Sequence, residues 1–229
     1  MSFKILVVTA TSSEADTLKK ISGMISIQDG YKYGNIEIKP LITGVGSIST
    51  SWAMKQWISV NGKPDLALNI GIAGTYNDDL KIGEVVIPLS DCFADAGIED
   101  GESFLTLSEA GFKSAKEFPY KEGFLLADTR HGITMKNHLK SVKAITVNTA
   151  TGSETTKQKL IKRFNPDIET MEGATFFYIC AMENIPFMAL RAISNRVEAR
   201  NRNSWDIPLA LENLTKTLSE IILTMEVKR

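Results

Sequence analysis

Histidine and cysteine are both scarce in this 229-residue chain, two of each. His131 and His138 sit in a polar stretch with no GxSxG turn ahead of them, so a Ser/His/Asp triad has no support and both read as surface residues. Cys92 and Cys180 lie far apart and show neither CxxC nor Cys/His ligand spacing, which excludes a disulfide framework and structural zinc and leaves buried, reduced thiols. No metal site is expected. A phosphate-gripping GxxxxGK[ST] loop and a GxGxxG dinucleotide turn are also missing, Gly44-Val45-Gly46 being only a fragment of the latter, and no cofactor is expected. Charge of one sign is not in excess: the formal net charge is -1 and the basic residues are scattered among acids. That pattern gives no footprint for nucleic acid. No apolar stretch approaches the roughly 20 residues of a membrane span, and the chain begins as a strand, not as a signal segment. The expectation is a cytoplasmic protein with no membrane partner.

What is present is a balanced composition, 43% hydrophobic and 23% charged, enough to bury a sizeable core within one domain, residues 1–229. Short apolar runs alternate with helical segments, the pattern of an α/β fold. Phe3 to Thr9 reads as a buried first strand, with Ser12 or Ser13 capping a helix to about Ile21. Ile36–Ile38 and Leu41–Thr43 read as two further strands, followed by a helix from about Ser49 to Val60. Leu66–Ile70 is a buried strand, and Gly71-Ile72-Ala73-Gly74 then opens a loop that leads to a strand ending near Pro88. Ala144–Val147 is a later strand, and Glu154–Phe164 and Gly173–Glu183 are helices. Leu211, Leu214, Leu218, Ile221 and Ile222 form a helical stripe that belongs to the core or to a subunit interface.

Candidate chemistry is confined to carboxylates and amides at strand ends: Glu14, Glu169, Glu172, Asn148 and Asn195. Asn195 follows the apolar run Ile185–Leu190 and the segment Arg191-Ala192-Ile193-Ser194. Its side-chain NH2 suits the O6 and N7 acceptors of a 6-oxopurine, whereas an Asp would suit adenine. An Asn in that place also serves simply to turn the chain after a strand. Gly71 and Gly74 permit close backbone approach to a ligand, or mark a plain pair of turns.

Three segments, Asn69-Ile70-Gly71-Ile72-Ala73-Gly74 with Ile82-Gly83-Glu84-Val85-Val86, then Ile168-Glu169-Thr170-Met171-Glu172-Gly173-Ala174, then Arg191-Ala192-Ile193-Ser194-Asn195, resemble the signatures of the purine nucleoside phosphorylase and methylthioadenosine/S-adenosylhomocysteine nucleosidase family. The resemblance covers essentially the whole chain in order. It implies a mixed central β-sheet flanked by helices, a small-molecule nucleoside substrate and a homodimer. Within the family, segments 69–74, 91–100 and 194–205 look most like the branch that removes hypoxanthine from a nucleoside carrying an aromatic carboxylate.

Carried over by resemblance, Glu172 holds the ribose hydroxyls, Met171 packs on the sugar and Glu14 activates water. Ala150 falls where the adenine-specific members carry an aromatic that stacks on the base, and Asn148, just before it, is a substrate-binding candidate. Phosphorolysis needs a Ser or Thr in the GxAG loop and arginines nearby. Here Ile72 takes that place, and no arginine precedes Arg130, so water is the expected nucleophile. Arg196, Arg200 and Arg202 either capture the substrate carboxylate or belong to a solvated loop. The combined expectation is a purine nucleoside hydrolase acting on a 6-oxopurine nucleoside. Its alternatives are a methylthioadenosine/S-adenosylhomocysteine nucleosidase, a phosphorylase, and an inactive nucleoside-binding protein.

Overall fold

A computed structural model describes residues 2–101, 103–128, 130, 139–199 and 201–227. In chain order the strands are β1 Phe3–Thr9, β2 Ile25–Ile27, β3 Gly30–Tyr33, β4 Ile36–Ile42, β5 Leu66–Thr75, β6 Val85–Asp91, β7 Gly97–Asp100, β8 Ser103–Thr106, β9 Tyr120–Lys121, β10 Phe124–Leu126, β11 Lys140–Thr146, β12 Ile168–Thr170 and β13 Phe187–Arg196. The helices are α1 Ser12–Ala15, α2 Ser47–Asn61, α3 Glu154–Phe164, α4 Gly173–Met182 and α5 Ile207–Val227. Eleven strands make one mixed sheet in the order β2-β3-β4-β1-β5-β12-β11-β6-β10-β9, with β13 pairing both β5 and β6. Five of them therefore close on themselves: β5 to β12, β12 to β11, β11 to β6, β6 to β13, and β13 back to β5. The mixed α/β architecture with flanking helices is the expected one.

Buried on both faces, the central strands are continuous apolar runs, as Ile5-Leu6-Val7-Val8 and Leu66-Ala67-Leu68 illustrate. On one side α5 lays Leu214, Leu218, Ile221 and Ile222 against Val7, Leu68 and Leu190. The C-terminal stripe is thus core. On the other side α4 buries Phe176, Phe177 and Cys180 beside Met54 and Ile58 of α2. Cys92 and Cys180 are free and buried. Among the described residues no helix is long and apolar enough to cross a membrane.

Three local expectations are corrected. The two strands expected around Pro40 are one, β4, which pairs β1 from Ile36 to Ile42 while β3 pairs only Ile36–Ile38. Pro40 has no N–H to give, and it falls where that side of β4 is unpaired. The helix expected to run to Ile21 is α-helical only over Ser12–Ala15, with Thr11 as its cap instead of Ser12 or Ser13, and continues as a 3-10 helix at Leu18–Lys20. The Glu14 carbonyl accepts from Thr17 Oγ1 at 2.6 Å and from the Thr17 N–H at 3.2 Å, so the chain tightens from α to 3-10 bonding there. The segment Gly71–Gly74 is not a loop but part of β5, because β13 pairs alongside it as far as Arg196↔Thr75. A bulge between Ile193 and Asn195 interrupts that register. It allows the consecutive Ser194 and Asn195 to face the same space, which strict alternation forbids.

Candidate active site

The ends of β1, β5, β12 and β13 surround a cavity of about 380 Å³. Glu14 enters from α1, Ile72 and Gly74 from β5, Glu169 from β12, Met171 and Glu172 from the turn before α4, and Asn195 from β13. Trp205, just before α5, and Ile207 and Leu211 at its start close it. The walls are mostly apolar. Among the described residues, no Lys or Arg lines the cavity, whereas three carboxylates do: Glu14, Glu169 and Glu172.

Glu14 is buried and heavily held. Its Oε2 accepts from the Ala10 N–H at 3.0 Å, the Thr11 N–H at 2.9 Å and the Thr11 hydroxyl at 3.0 Å, and its Oε1 accepts from the Ile72 N–H at 3.2 Å. The Glu14 N–H in turn bonds Thr11 Oγ1, completing a capping box. The carboxylate is therefore fixed by the turn that follows β1, with Oε1 reaching β5. A Cβ on Gly71 would stand 2.7 Å from Oε1. Gly71 itself does not line the cavity, so the expected direct contact of Gly71 with substrate is corrected to clearance for Glu14. Ile72, the next residue, does line the wall.

Glu172 occupies the position before the first turn of α4 without capping it. That work is done by threonines: Gly173 N–H donates to Thr170 Oγ1 at 3.1 Å and Ala174 N–H to Thr146 Oγ1 at 2.7 Å. The Glu172 carboxylate is thereby left to the cavity, where Oε1 accepts from the Gly46 N–H at 2.8 Å. Gly46 supplies that N–H at φ +94°, a conformation open to glycine. Burial raises the pKa of Glu172; the Gly46 N–H and Arg191 pull it down and Glu14 adds to the rise.

Beneath these groups lies a buried polar cluster. Arg191 donates from Nη1 to the carbonyls of Asn69 and Leu190, each at 2.9 Å, and from Nη2 to Asn69 Oδ1. Burial lowers its pKa, opposed by Glu172, Glu14 and Asp91. Asp91 accepts from the Thr146 hydroxyl at 3.0 Å, and burial pushes it up to about 7 against the pull of Thr146 and Arg191. A Cβ on Gly173 would fall 2.2 Å from Asp91 Oδ2, so Asp91 lies directly against the start of α4.

Asn195 lines the cavity, but its amide is partly committed. Oδ1 accepts from Ser194 Oγ and Nδ2 donates to the Arg196 carbonyl, both at 2.8 Å. One N–H remains, so the expected pair of donors to O6 and N7 is corrected to a single donor. Met171 and Ala150 line the cavity as well. Asn148 does not: it is exposed and bonds Asp95 through its N–H and Nδ2, which turns it out of the site. Arg196 is likewise corrected. Its guanidinium is spent on Asn77 O, Asp78 Oδ1 and Asp78 O, bracing the chain after β5. Arg200, the Arg202 side chain, His131 and His138 lie outside what is described.

Sequence reasoning left out Arg191 and Asp91 and gave Glu169 no role. An arginine inside the apolar run 187–193 was the available signal, since a buried charge requires partners. Those partners come from β5 and the turns after β1 and β12, which no local pattern reveals. Among the described residues, no group of three His, Cys, Asp or Glu is placed to hold a metal ion.

Comparison with known proteins bears on the family and the fold. The family model of the phosphorylase superfamily matches residues 4–225. A futalosine hydrolase of Streptomyces coelicolor is 28% identical over 171 residues, covering 73% of this chain and 70% of its own. A 5'-methylthioadenosine/S-adenosylhomocysteine nucleosidase of Buchnera aphidicola is 29% identical over 206 residues, covering 84% of this chain and 81% of its own. The native structure of futalosine hydrolase from Helicobacter pylori superimposes with a TM-score of 0.77 at 20% identity, over 96% of this chain and 97% of that one. The chain belongs to the phosphorylase superfamily.

Proposed function

We propose that the protein is a purine nucleoside hydrolase that cleaves the N-glycosidic bond of futalosine and releases hypoxanthine, a step in menaquinone biosynthesis. The observation that carries hydrolysis is the cavity wall itself. With three carboxylates and, among the described residues, no cation lining it, the space repels a phosphate dianion and admits water. Arg191 is near, but its guanidinium is bonded to Asn69 and Leu190.

Glu14 acts as the general base on water, a contribution of about 10²–10⁴ in rate. Its fixed position places one lone-pair direction on the cavity side. Glu172 accepts from the ribose hydroxyls, and Met171 packs on the sugar. The transition state has oxocarbenium character and negative charge leaves with the base. The free N–H of Asn195 donates to N7 and lowers that barrier. Ile72 and Ala150 contribute shape alone. The futalosine hydrolases among the relatives support this substrate; the nucleosidases keep methylthioadenosine as the competing reading. Turnover of futalosine, inosine and methylthioadenosine side by side, with and without phosphate, decides between them. Hypoxanthine from futalosine with free sugar is the expected result, and a ribose 1-phosphate as main product ends the hydrolase reading.

The working form is a cytoplasmic homodimer. Its support is an apolar face of α2 and α4, where Ile48 is 85% and Trp52 71% exposed. The face continues to Val45, which is part of the cavity wall.

A further inference from the structure

Asp91 is buried, lines no wall of the cavity and has no part in the proposed reaction, yet it lies directly against the start of the helix that follows Glu172. That helix, α4, begins with an irregular cap. Glu172 stands in the cap position, but its backbone lies at φ −130° and ψ −21°, outside the extended geometry from which a cap side chain turns back on the first N–H groups. Its carboxylate goes the other way, to the Gly46 N–H. The N–H groups of Gly173 and Ala174 are met instead from neighbouring strands, by Thr170 Oγ1 and Thr146 Oγ1. These two threonines are register partners on β12 and β11, and the chain just past Asp91 pairs with Thr146 from the other side, the Thr146 N–H donating to the Cys92 carbonyl at 2.8 Å. Asp91, Thr146 and Thr170 thus form a row beside the first turn of α4.

Counting protons gives the row a direction. The Thr146 hydroxyl has one proton, and Asp91 Oδ1, 3.0 Å away, takes it. Thr146 Oγ1 then has only acceptance left, for the Ala174 N–H at 2.7 Å and the Thr170 hydroxyl at 3.3 Å. Thr170 Oγ1 in turn accepts from the Gly173 N–H at 3.1 Å. Both helix N–H groups therefore depend on one terminal acceptor, Asp91 Oδ1. Without it the Thr146 proton competes for the oxygens that now receive the helix. Unpaired N–H groups at the start of α4 would then draw the adjacent carboxylate, Glu172, back to cap them.

We infer that Asp91 is a positioning residue: through Thr146 and Thr170 it caps α4 in place of Glu172, and so leaves the Glu172 carboxylate free for the ribose hydroxyls. The inference rests on the role given to Glu172 above.

The test reads the Glu172 contact separately from the fold. kcat/KM is measured for futalosine and its 2'-deoxy counterpart, and the same pair is run for methylthioadenosine. Wild type should favour the ribonucleoside by about tenfold or more, the factor for one hydrogen bond to a charged group. Thr146→Val removes the hydroxyl at constant shape and Asp91→Leu removes the terminal acceptor; each should bring that preference close to one. Thr146→Ser and Asp91→Asn keep the hydroxyl and the acceptor, and each should keep the wild-type preference. If Thr146→Val or Asp91→Leu loses equally on both members of the pair, the row serves the fold alone and the inference is overturned. Loss of the preference in Asp91→Asn overturns it too, even if the two stronger variants fail to fold, because this nearly isosteric variant retains the acceptor. A wild type that does not distinguish ribose from 2'-deoxyribose removes the role of Glu172 and this inference together. Turnover of methylthioadenosine alone ends the futalosine reading, and the preference within that pair then judges Asp91 by the same outcomes.

Discussion

A methyl group on Gly71 would lie 2.7 Å from Glu14 Oε1. The backbone of β5 and the carboxylate proposed as base are thus in closest packing, and the missing side chain fixes where Oε1 sits. Gly71→Ala should push the carboxylate away from the Ile72 N–H and lower kcat by tenfold or more, about the cost of one misplaced catalytic hydrogen bond. Its Tm should change little beside the loss in rate, because the displaced group is at the cavity. Steady-state kinetics on futalosine reads this directly; an unchanged kcat would mean Oε1 position is irrelevant to the chemistry.

Glu14→Gln separates the two tasks of that residue. A Gln side-chain oxygen still accepts from Thr11 and Ala10, so the capping box and the fold persist. A proton acceptor is lost, and kcat should fall about a hundredfold or more with KM within a few-fold. Retention of wild-type kcat/KM would remove Glu14 from the reaction.

These two variants bear on how far the sequence could be read. The order of elements was legible because the buried strands are unbroken apolar runs, and α3 occupies the residues its pattern predicts, Glu154–Phe164. Gly71–Gly74 was misread because glycine carries no strand propensity; only pairing with β13 makes it extended. Resemblance to a family singles out Glu14, Glu172 and Asn195, and the fold brings all three to one cavity. Glu169 is named without a role, and Arg191 and Asp91 are not singled out, since the groups that give them meaning arrive from separate strands.

Asp91 provides a pH test. Its carboxyl is held at about 7 by burial, above the ordinary 3.8. A group raised in the folded state adds stability that is complete below its unfolded value and lost as the pH rises through the folded one. Wild-type protein should therefore gain Tm relative to Asp91→Asn as the pH is lowered from about 7 toward 4. The difference should be a few kcal/mol at most, on the order of one per pH unit. Parallel Tm profiles for the two proteins would contradict the assignment.

Asn195→Asp is expected to be damaging for a local reason. One carboxylate oxygen can accept from Ser194 Oγ, but the other then faces the Arg196 carbonyl, where Nδ2 now donates at 2.8 Å. An unsatisfied buried pair of acceptors costs about 1–3 kcal/mol. Both Tm and kcat/KM on futalosine should drop, and wild-type values for the variant would show that the amide is free of both roles.

Trp52→Glu tests the homodimer. A charge on the exposed face of α2 should halve the mass seen by sedimentation while leaving the secondary structure intact. A monomeric wild type would end the proposal.

The five strands that close on themselves have no edges, and this decides where the protein can change. Ile72, Gly74, Glu169 and Asn195 are all carried by members of that ring, so this part of the cavity wall is fixed in the hydrogen-bonded frame of the sheet. Val45 and Trp205, by contrast, stand outside it on connecting segments. The wall carried by connecting segments is thus open to piecemeal variation, whereas a change in the wall carried by the ring demands several coordinated replacements in the frame itself.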